Sequence, residues 1–182
     1  MTQYYYWNDF LFRLRSRYWL DNMYFSRFYR NSEPLLTPRL QKLAVRDPLM
    51  LSRQMLASID DLAAALEARD SGQPVDKDLV IAKSQEIREM AKKIRGDDLL
   101  PYVDQRKDVD MLKGQDVKNL GLSAVENLRQ MTLDLNRQLR NLYDDTSTAT
   151  VSVNELNQPS FSSLSKGIEQ LCKVIESSAK KI

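Results

Sequence analysis

The sequence predicts an all-α protein, an antiparallel four-helix bundle with an additional N-terminal helical arm rich in aromatic residues and arginine. Four stretches of the 182-residue chain repeat apolar side chains every three or four residues, and the whole chain contains only five glycines. Both features favour amphipathic helices. The arm is predicted because twelve of the fifteen aromatic residues lie within the first 29 positions. We therefore expect an arm at residues 1–33, a proline-containing connector at 34–48 and the bundle at 49–182.

The first two bundle helices are expected at residues 49–70 and 76–95. Gly72 and Pro74 follow the first, and Gly96 follows the second, as is typical of helix ends. The link between the two helices is short, so we expect an antiparallel hairpin. The predicted core positions of this pair are Leu51, Met55, Ile59, Leu62, Leu66, Leu79, Val80, Ile87, Met90, Ala91 and Ile94.

The third and fourth helices are expected at residues 121–144 and 160–182, each with a heptad-like apolar stripe. Four helices with one apolar stripe each bury those stripes best against one another. The longer links that precede these helices leave their order in the bundle open. Their predicted core positions are Val125, Leu128, Thr132, Leu135, Leu139 and Leu142, then Phe161, Leu164, Ile168, Leu171, Ile175, Ala179 and Ile182.

The connector at residues 34–48 contains three of the six prolines. Proline cannot donate a backbone hydrogen bond and disfavours a helical conformation in the residue before it. The connector is therefore expected to be irregular, or to form a short helix wrapped on the bundle.

The arm carries more apolar surface than one face of a helix can bury. Each aromatic side chain buries about 150–250 Å², whereas a soluble monomer exposes apolar patches of only about 300–600 Å². Something must therefore cover the arm. The candidate partner- or membrane-binding residues are Trp7, Phe10, Phe12, Arg13, Arg15, Arg17, Tyr18, Trp19, Tyr24, Phe25, Phe28 and Tyr29.

Several surfaces are candidates for covering the apolar side chains of the arm. The simplest is its own bundle, along which the arm would pack as one more helix. Tyrosine, tryptophan and arginine are also enriched at protein interfaces, which favours a protein partner or a second copy. An anionic membrane interface is a further alternative. A transmembrane span is disfavoured, because seven charged side chains lie between Asp9 and Arg30. Nucleic acid is disfavoured as a partner of the arm. The first thirty residues have a formal charge of only +3 and contain no lysine, which is little positive charge for binding phosphates.

The composition argues against an enzyme. The chain has no histidine and a single cysteine, so the commonest general base and metal ligand are missing. Cys172 lies beside the fourth apolar stripe and is expected to be a packed core thiol. Five aspartates between Asp97 and Asp110 do not match a calcium-loop spacing and are interpreted as a solvated acidic loop. We expect no catalytic residue, no metal site and no cofactor.

The leading functional hypothesis is a helical interaction or assembly protein whose arm docks on a protein partner or on another copy. The alternatives are a peripheral membrane-binding module with the arm in the lipid interface, and a sensor that binds a small molecule in the bundle core. The start of the chain does not resemble a secretory signal, and one cysteine excludes an intramolecular disulfide. A cytoplasmic or membrane-peripheral location is therefore favoured.

Overall fold

The computed structural model describes residues 9, 12, 13, 37–70, 76–104, 106–112, 122–144 and 158–180. Four long helices and one single-turn helix form within these ranges, and no strand occurs among them. The all-α prediction is confirmed. The helices are α1 Thr37–Asp70, α2 Lys77–Arg95, α3 Leu100–Val103, α4 Leu122–Asp144 and α5 Phe161–Ala179.

Helix α1 begins at Thr37, well before the start that the sequence analysis expected at residue 49, and takes in most of the predicted connector. Pro38 lies in the first turn of α1. Backbone N–H groups in the first turn have no carbonyl partner within the helix, so the N–H that proline lacks costs no hydrogen bond there. Pro48 lies inside the helix and cannot donate to a carbonyl one turn earlier. Helix α1 nevertheless continues through it, and Ala44 and Val45 on the preceding turn are fully buried. Burial of that turn outweighs the lost hydrogen bond.

The starts of α2 and α5 carry the side-chain caps expected of helix N-termini. Asp76 Oδ1 accepts a 3.0 Å hydrogen bond from the Leu79 N–H, and Ser160 Oγ accepts one of 3.0 Å from the Ser163 N–H. Each cap satisfies a backbone donor that has no partner within its helix. Both helices therefore start within a residue of their predicted positions.

Helices α1 and α4 pack side by side and run in opposite directions. Asn136 Nδ2 of α4 donates to Ser52 Oγ of α1 over 2.8 Å. Arg129, two turns earlier in α4, pairs with Asp60, about two turns later in α1. Residue numbers therefore rise along one helix as they fall along the other, which defines an antiparallel pair.

Helices α2 and α5 also pack in an antiparallel direction. Arg88 Nη1 lies 2.9 Å from Glu176 Oε2, and Arg95 Nε lies 2.8 Å from Glu169 Oε1. Helix α1 also packs on α2, and α4 on α5, so the four long helices form a ring in the order α1, α2, α5, α4. The chain direction is up, down, down, up. Helix α2 therefore ends and α4 begins at opposite ends of the bundle, and we call the segment between them the crossover.

The core inside this ring is almost entirely aliphatic. Phe161 is the one aromatic side chain in the fully buried core of the described residues. The predicted core positions of α4 and α5 that the structure describes are buried, with Leu142 partly so. In α2 the prediction fails at Leu79, which is 39% exposed, while Ser84 is fully buried and donates to the Val80 carbonyl over 2.8 Å.

Candidate functional site

The arm is described at three positions, of which Phe12 and Arg13 belong to the predicted interaction residues. Phe12 is 73% exposed, the largest exposure among the big hydrophobic side chains of the described residues. At this position an aromatic side chain of the arm faces solvent rather than the core. The other predicted interaction residues lie outside the described residues: Trp7, Phe10, Arg15, Arg17, Tyr18, Trp19, Tyr24, Phe25, Phe28 and Tyr29.

Arg13 connects the arm to the bundle. Its Nε atom lies 3.1 Å from Asp9 Oδ2, one helical turn earlier, and its Nη1 atom lies 3.8 Å from Asp98 Oδ2. Asp98 lies just after the end of α2. All three side chains are nearly half exposed, so solvent and salt screen both ion pairs. The contact therefore locates Arg13 beside the bundle without burying it.

The end of the bundle that Arg13 touches is held by buried carboxylates. Asp97 is 8% exposed, and its Oδ1 atom accepts hydrogen bonds of 2.9 Å and 3.3 Å from the N–H groups of Leu99 and Leu100. These two N–H groups lie at the start of α3, where they have no carbonyl partner within the helix. Asp97 is therefore the acceptor that the helix itself lacks. These hydrogen bonds to a charged acceptor compensate the buried carboxylate for the hydration that it loses.

Asp104 joins the crossover to the start of α5. Its Oδ2 atom accepts a 2.6 Å hydrogen bond from the Phe161 N–H, and its Oδ1 atom lies 2.7 Å from Arg106 Nε. The Asp104 and Arg106 side chains are only 8% and 9% exposed. The Arg106 guanidinium lies 4.1 Å from the centre of the Phe161 ring and also donates to Gln138 of α4. One buried ion pair thus contacts both helices beside the crossover.

Asp108 makes the second attachment of the crossover to α5. Its carboxylate accepts hydrogen bonds from the hydroxyls of Ser160 and Ser163, and the Val109 N–H donates to Ser163 Oγ over 2.8 Å. We call the set Asp104, Arg106, Asp108, Ser160, Phe161 and Ser163 the crossover clamp. The interpretation of this linker as a solvated acidic loop is therefore wrong for Asp97 and Asp104, whose side chains are buried, whereas Asp108 is exposed while it binds the two serines. The physical reason is that backbone N–H groups at the starts of α3 and α5 bind the Asp97 and Asp104 carboxylates.

Further along, the crossover packs closely on α5 at Gly167. A Cβ atom at this position would lie 2.9 Å from Met131 Sδ and 3.2 Å from Met111 Cβ. Met111 belongs to the crossover and Met131 to α4, so three segments meet at one residue without a side chain. A side chain at this position would require Met131 and Met111 to shift.

Cys172 lies in the interface between α2 and α5. It is fully buried, and burial followed by the nearby Glu176 carboxylate raises the pKa of its thiol to about 12. The prediction of a packed core thiol is confirmed. The thiolate, which is the nucleophilic form, is disfavoured at neutral pH.

The described side chains contain no group of three or more His, Cys, Asp or Glu residues that is able to hold a metal ion. Among the described helices, none combines the length and the hydropathy that a bilayer span requires. The polar clusters on these ranges, the crossover clamp among them, consist of caps and ion pairs.

Comparison with protein-family models, with curated proteins and with solved structures gave no significant match. The described residues define an all-α bundle with one crossover.

Proposed function

We propose that the protein is a non-enzymatic interaction or assembly protein, in which the bundle is the scaffold and the N-terminal arm binds a protein partner or a second copy of the chain. The observation that carries the proposal is the contrast between the two parts. Among the described residues, the buried core of the bundle is aliphatic except for Phe161. Phe12 of the arm, by contrast, is 73% exposed.

The position of Arg13 supports the same interpretation. Its guanidinium pairs with Asp98 at the rim of the bundle, which ties the arm to the scaffold through exposed charges. The neighbouring Phe12 side chain stays exposed beside this ion pair. Arginine and aromatic residues are the types that dominate binding energy at protein interfaces.

Site-specific photo-crosslinking tests this proposal directly. A photoreactive phenylalanine analogue replaces Phe12 in the full chain, and the crosslinked products formed in cells are identified by mass spectrometry. The substitution is conservative and the side chain is exposed, so the fold is retained. We expect crosslinks to a distinct protein or to a second copy, because an exposed apolar side chain in an interface lies within reach of the partner.

Leu79 provides the matched control, because it is a hydrophobic side chain of α2 that is 39% exposed and lies outside the arm. The same analogue at residue 79 should give no such product. Crosslinks from residue 12 only to the chain's own bundle would contradict the proposal. Crosslinks only to lipid would instead support a membrane-binding arm.

A further inference from the structure

Helix α1 carries a second stripe on a face turned away from its core residues. Its members recur at alternating spacings of three and four residues, and every one of them is exposed. The core stripe of the same helix, which includes Met55, Ile59 and Leu62, is fully buried. We call the exposed set the outer stripe of α1: Arg46, Met50, Arg53, Ala57, Asp60, Ala64 and Glu67.

The charges of the outer stripe reverse at its midpoint. Arg46 and Arg53 occupy the first half, Asp60 and Glu67 occupy the second, and all four are spaced at intervals of seven residues. This is the interval at which side chains flank the seam of a helix pair. A helix that is basic in one half and acidic in the other is complementary to itself when the two copies run antiparallel.

The positions between the charges are apolar, and most are small. Met50 is 55% exposed, and Ala57 and Ala64 follow at intervals of seven residues. Small side chains permit two helix axes to approach closely. On the neighbouring helix α4, Leu133 is 43% exposed, and the α1–α4 contacts place it level with Ala57. The apolar part of this surface is therefore centred on Ala57.

We propose that the protein forms a two-fold symmetric dimer through antiparallel contact between the outer stripes of two α1 helices, with the axis at Ala57. In that register Arg53 of each copy lies within one residue, about 1.5 Å along the axis, of the level of Asp60 in the other, and Arg46 lies equally close to the level of Glu67, so both pairs are within side-chain reach. Met50 faces Ala64, and Ala57 faces its own copy. The contact spans roughly 32 Å at 1.5 Å per residue. A parallel arrangement would place like charges together, so the charge pattern selects the antiparallel one.

Charged side chains of the outer stripe that have partners within the chain are still exposed. Asp60 pairs with Arg129 and Arg46 with Asp47, but the Asp60 and Arg46 side chains remain 63% and 49% exposed. An ionised carboxylate accepts from more than one donor. The proposal concerns a surface of the bundle and does not depend on the arm.

Sedimentation equilibrium of the full chain tests the dimer by charge reversal. The double variants Arg46→Glu/Arg53→Glu and Asp60→Arg/Glu67→Arg each turn four attractive pairs of the dimer into repulsive ones. We expect the native chain to dimerise and each variant to dissociate roughly ten- to hundredfold more readily. An equimolar mixture of the two variants should restore the native affinity, because the acidic stripe of one then faces the basic stripe of the other.

Two further variants make the test independent of ion-pair losses within the chain. Ala57→Glu places two like charges at the axis and should weaken the dimer, although Ala57 makes no ion pair. Lys93→Glu reverses one charge on the exposed face of α2 and should leave the dimer unchanged. A native chain that is monomeric at micromolar concentrations would overturn the proposal. A dimer that none of the outer-stripe variants weakens, or one that the mixture fails to restore, would also overturn it.

Discussion

The carboxylate of Asp104 accepts a 2.6 Å hydrogen bond from the backbone N–H of Phe161, the first residue of α5. The two residues are 57 positions apart in the chain. A side chain of the crossover thus caps a helix that the chain reaches only after completing α4. This contact couples the path of the crossover to the position of the last helix.

Replacing Asp104 should therefore destabilise the whole bundle. Asp104→Ala removes the cap of Phe161 and leaves the buried Arg106 guanidinium without its carboxylate, which should cost about 3 kcal/mol. Asp104→Asn keeps an acceptor but loses the charge and should cost about half as much. Urea unfolding followed by circular dichroism measures both. Asp110→Ala is the control, since Asp110 is an exposed carboxylate of the same segment. Equal stabilities for all three variants would refute the capping role.

The close packing at Gly167 should make any larger residue costly. Gly167→Val places carbon atoms where Met131 and Met111 now lie, and overpacking of this kind costs about 1–3 kcal/mol. Met131→Ala opens space beside the new side chain, so the double variant should lose less than the sum of the two single losses. Denaturant midpoints of the three variants measure this coupling. Additive losses would show that Gly167 and Met131 do not share the site.

The thiol of Cys172 should be unreactive in the folded chain. It is fully buried, and its pKa is raised to about 12. We expect a disulfide reagent such as DTNB to label it at pH 8 only after urea unfolds the chain. Rapid stoichiometric labelling of the native chain would contradict the buried position.

The same pKa difference predicts a loss of stability at alkaline pH. In the unfolded chain the thiol ionises near its ordinary pKa of 9.0, while in the folded chain it keeps its proton until about pH 12. The unfolded state therefore binds fewer protons between these values, and the free energy of unfolding falls as pH rises. Relative to Cys172→Ala, the native chain should lose about 1.4 kcal/mol per pH unit in this window. Parallel pH dependences of the two proteins would contradict it.

Deleting residues 1–33 separates the two interpretations of the arm. If the arm is an interaction element, the remaining chain should retain its helical circular dichroism and a cooperative unfolding transition, because the described core is built from helices α1 to α5. If the arm is part of the core, the truncated chain should lose its cooperative transition. The measurement is thermal unfolding of both chains under the same conditions.

Much of the bundle was predictable from the sequence because amphipathic periodicity is a local signal. The stripes of α4 and α5, and the starts of α2 and α5 near residues 76 and 160, follow from residues within a turn or two of each other. The path of α1 through Pro48 was missed, because the local cost of proline is offset by burial of the surrounding turn. The outer stripe of α1 was missed with it, since Arg46 lies in the segment that was expected to be a connector.

The crossover clamp was not predictable from local patterns. The acidic linker has the composition of a solvated loop. Its carboxylates acquire their roles only when the start of α5 presents the Phe161 N–H to Asp104 and the hydroxyls of Ser160 and Ser163 to Asp108. For the arm, binding to a partner, to a second copy or to a membrane stays a prediction from the sequence. The sensor alternative likewise stays a prediction.

Fluorescence of the arm tests the central claim most directly, because Trp7 and Trp19 are the only two tryptophans in the chain. Acrylamide quenching of the isolated chain, diluted until it is monomeric, reports on these two side chains and on no part of the bundle. We predict efficient quenching in the monomer and protection once a partner or a second copy binds. Tryptophans that are protected in the dilute monomer, and become accessible only when the bundle unfolds, would contradict an arm that binds another molecule.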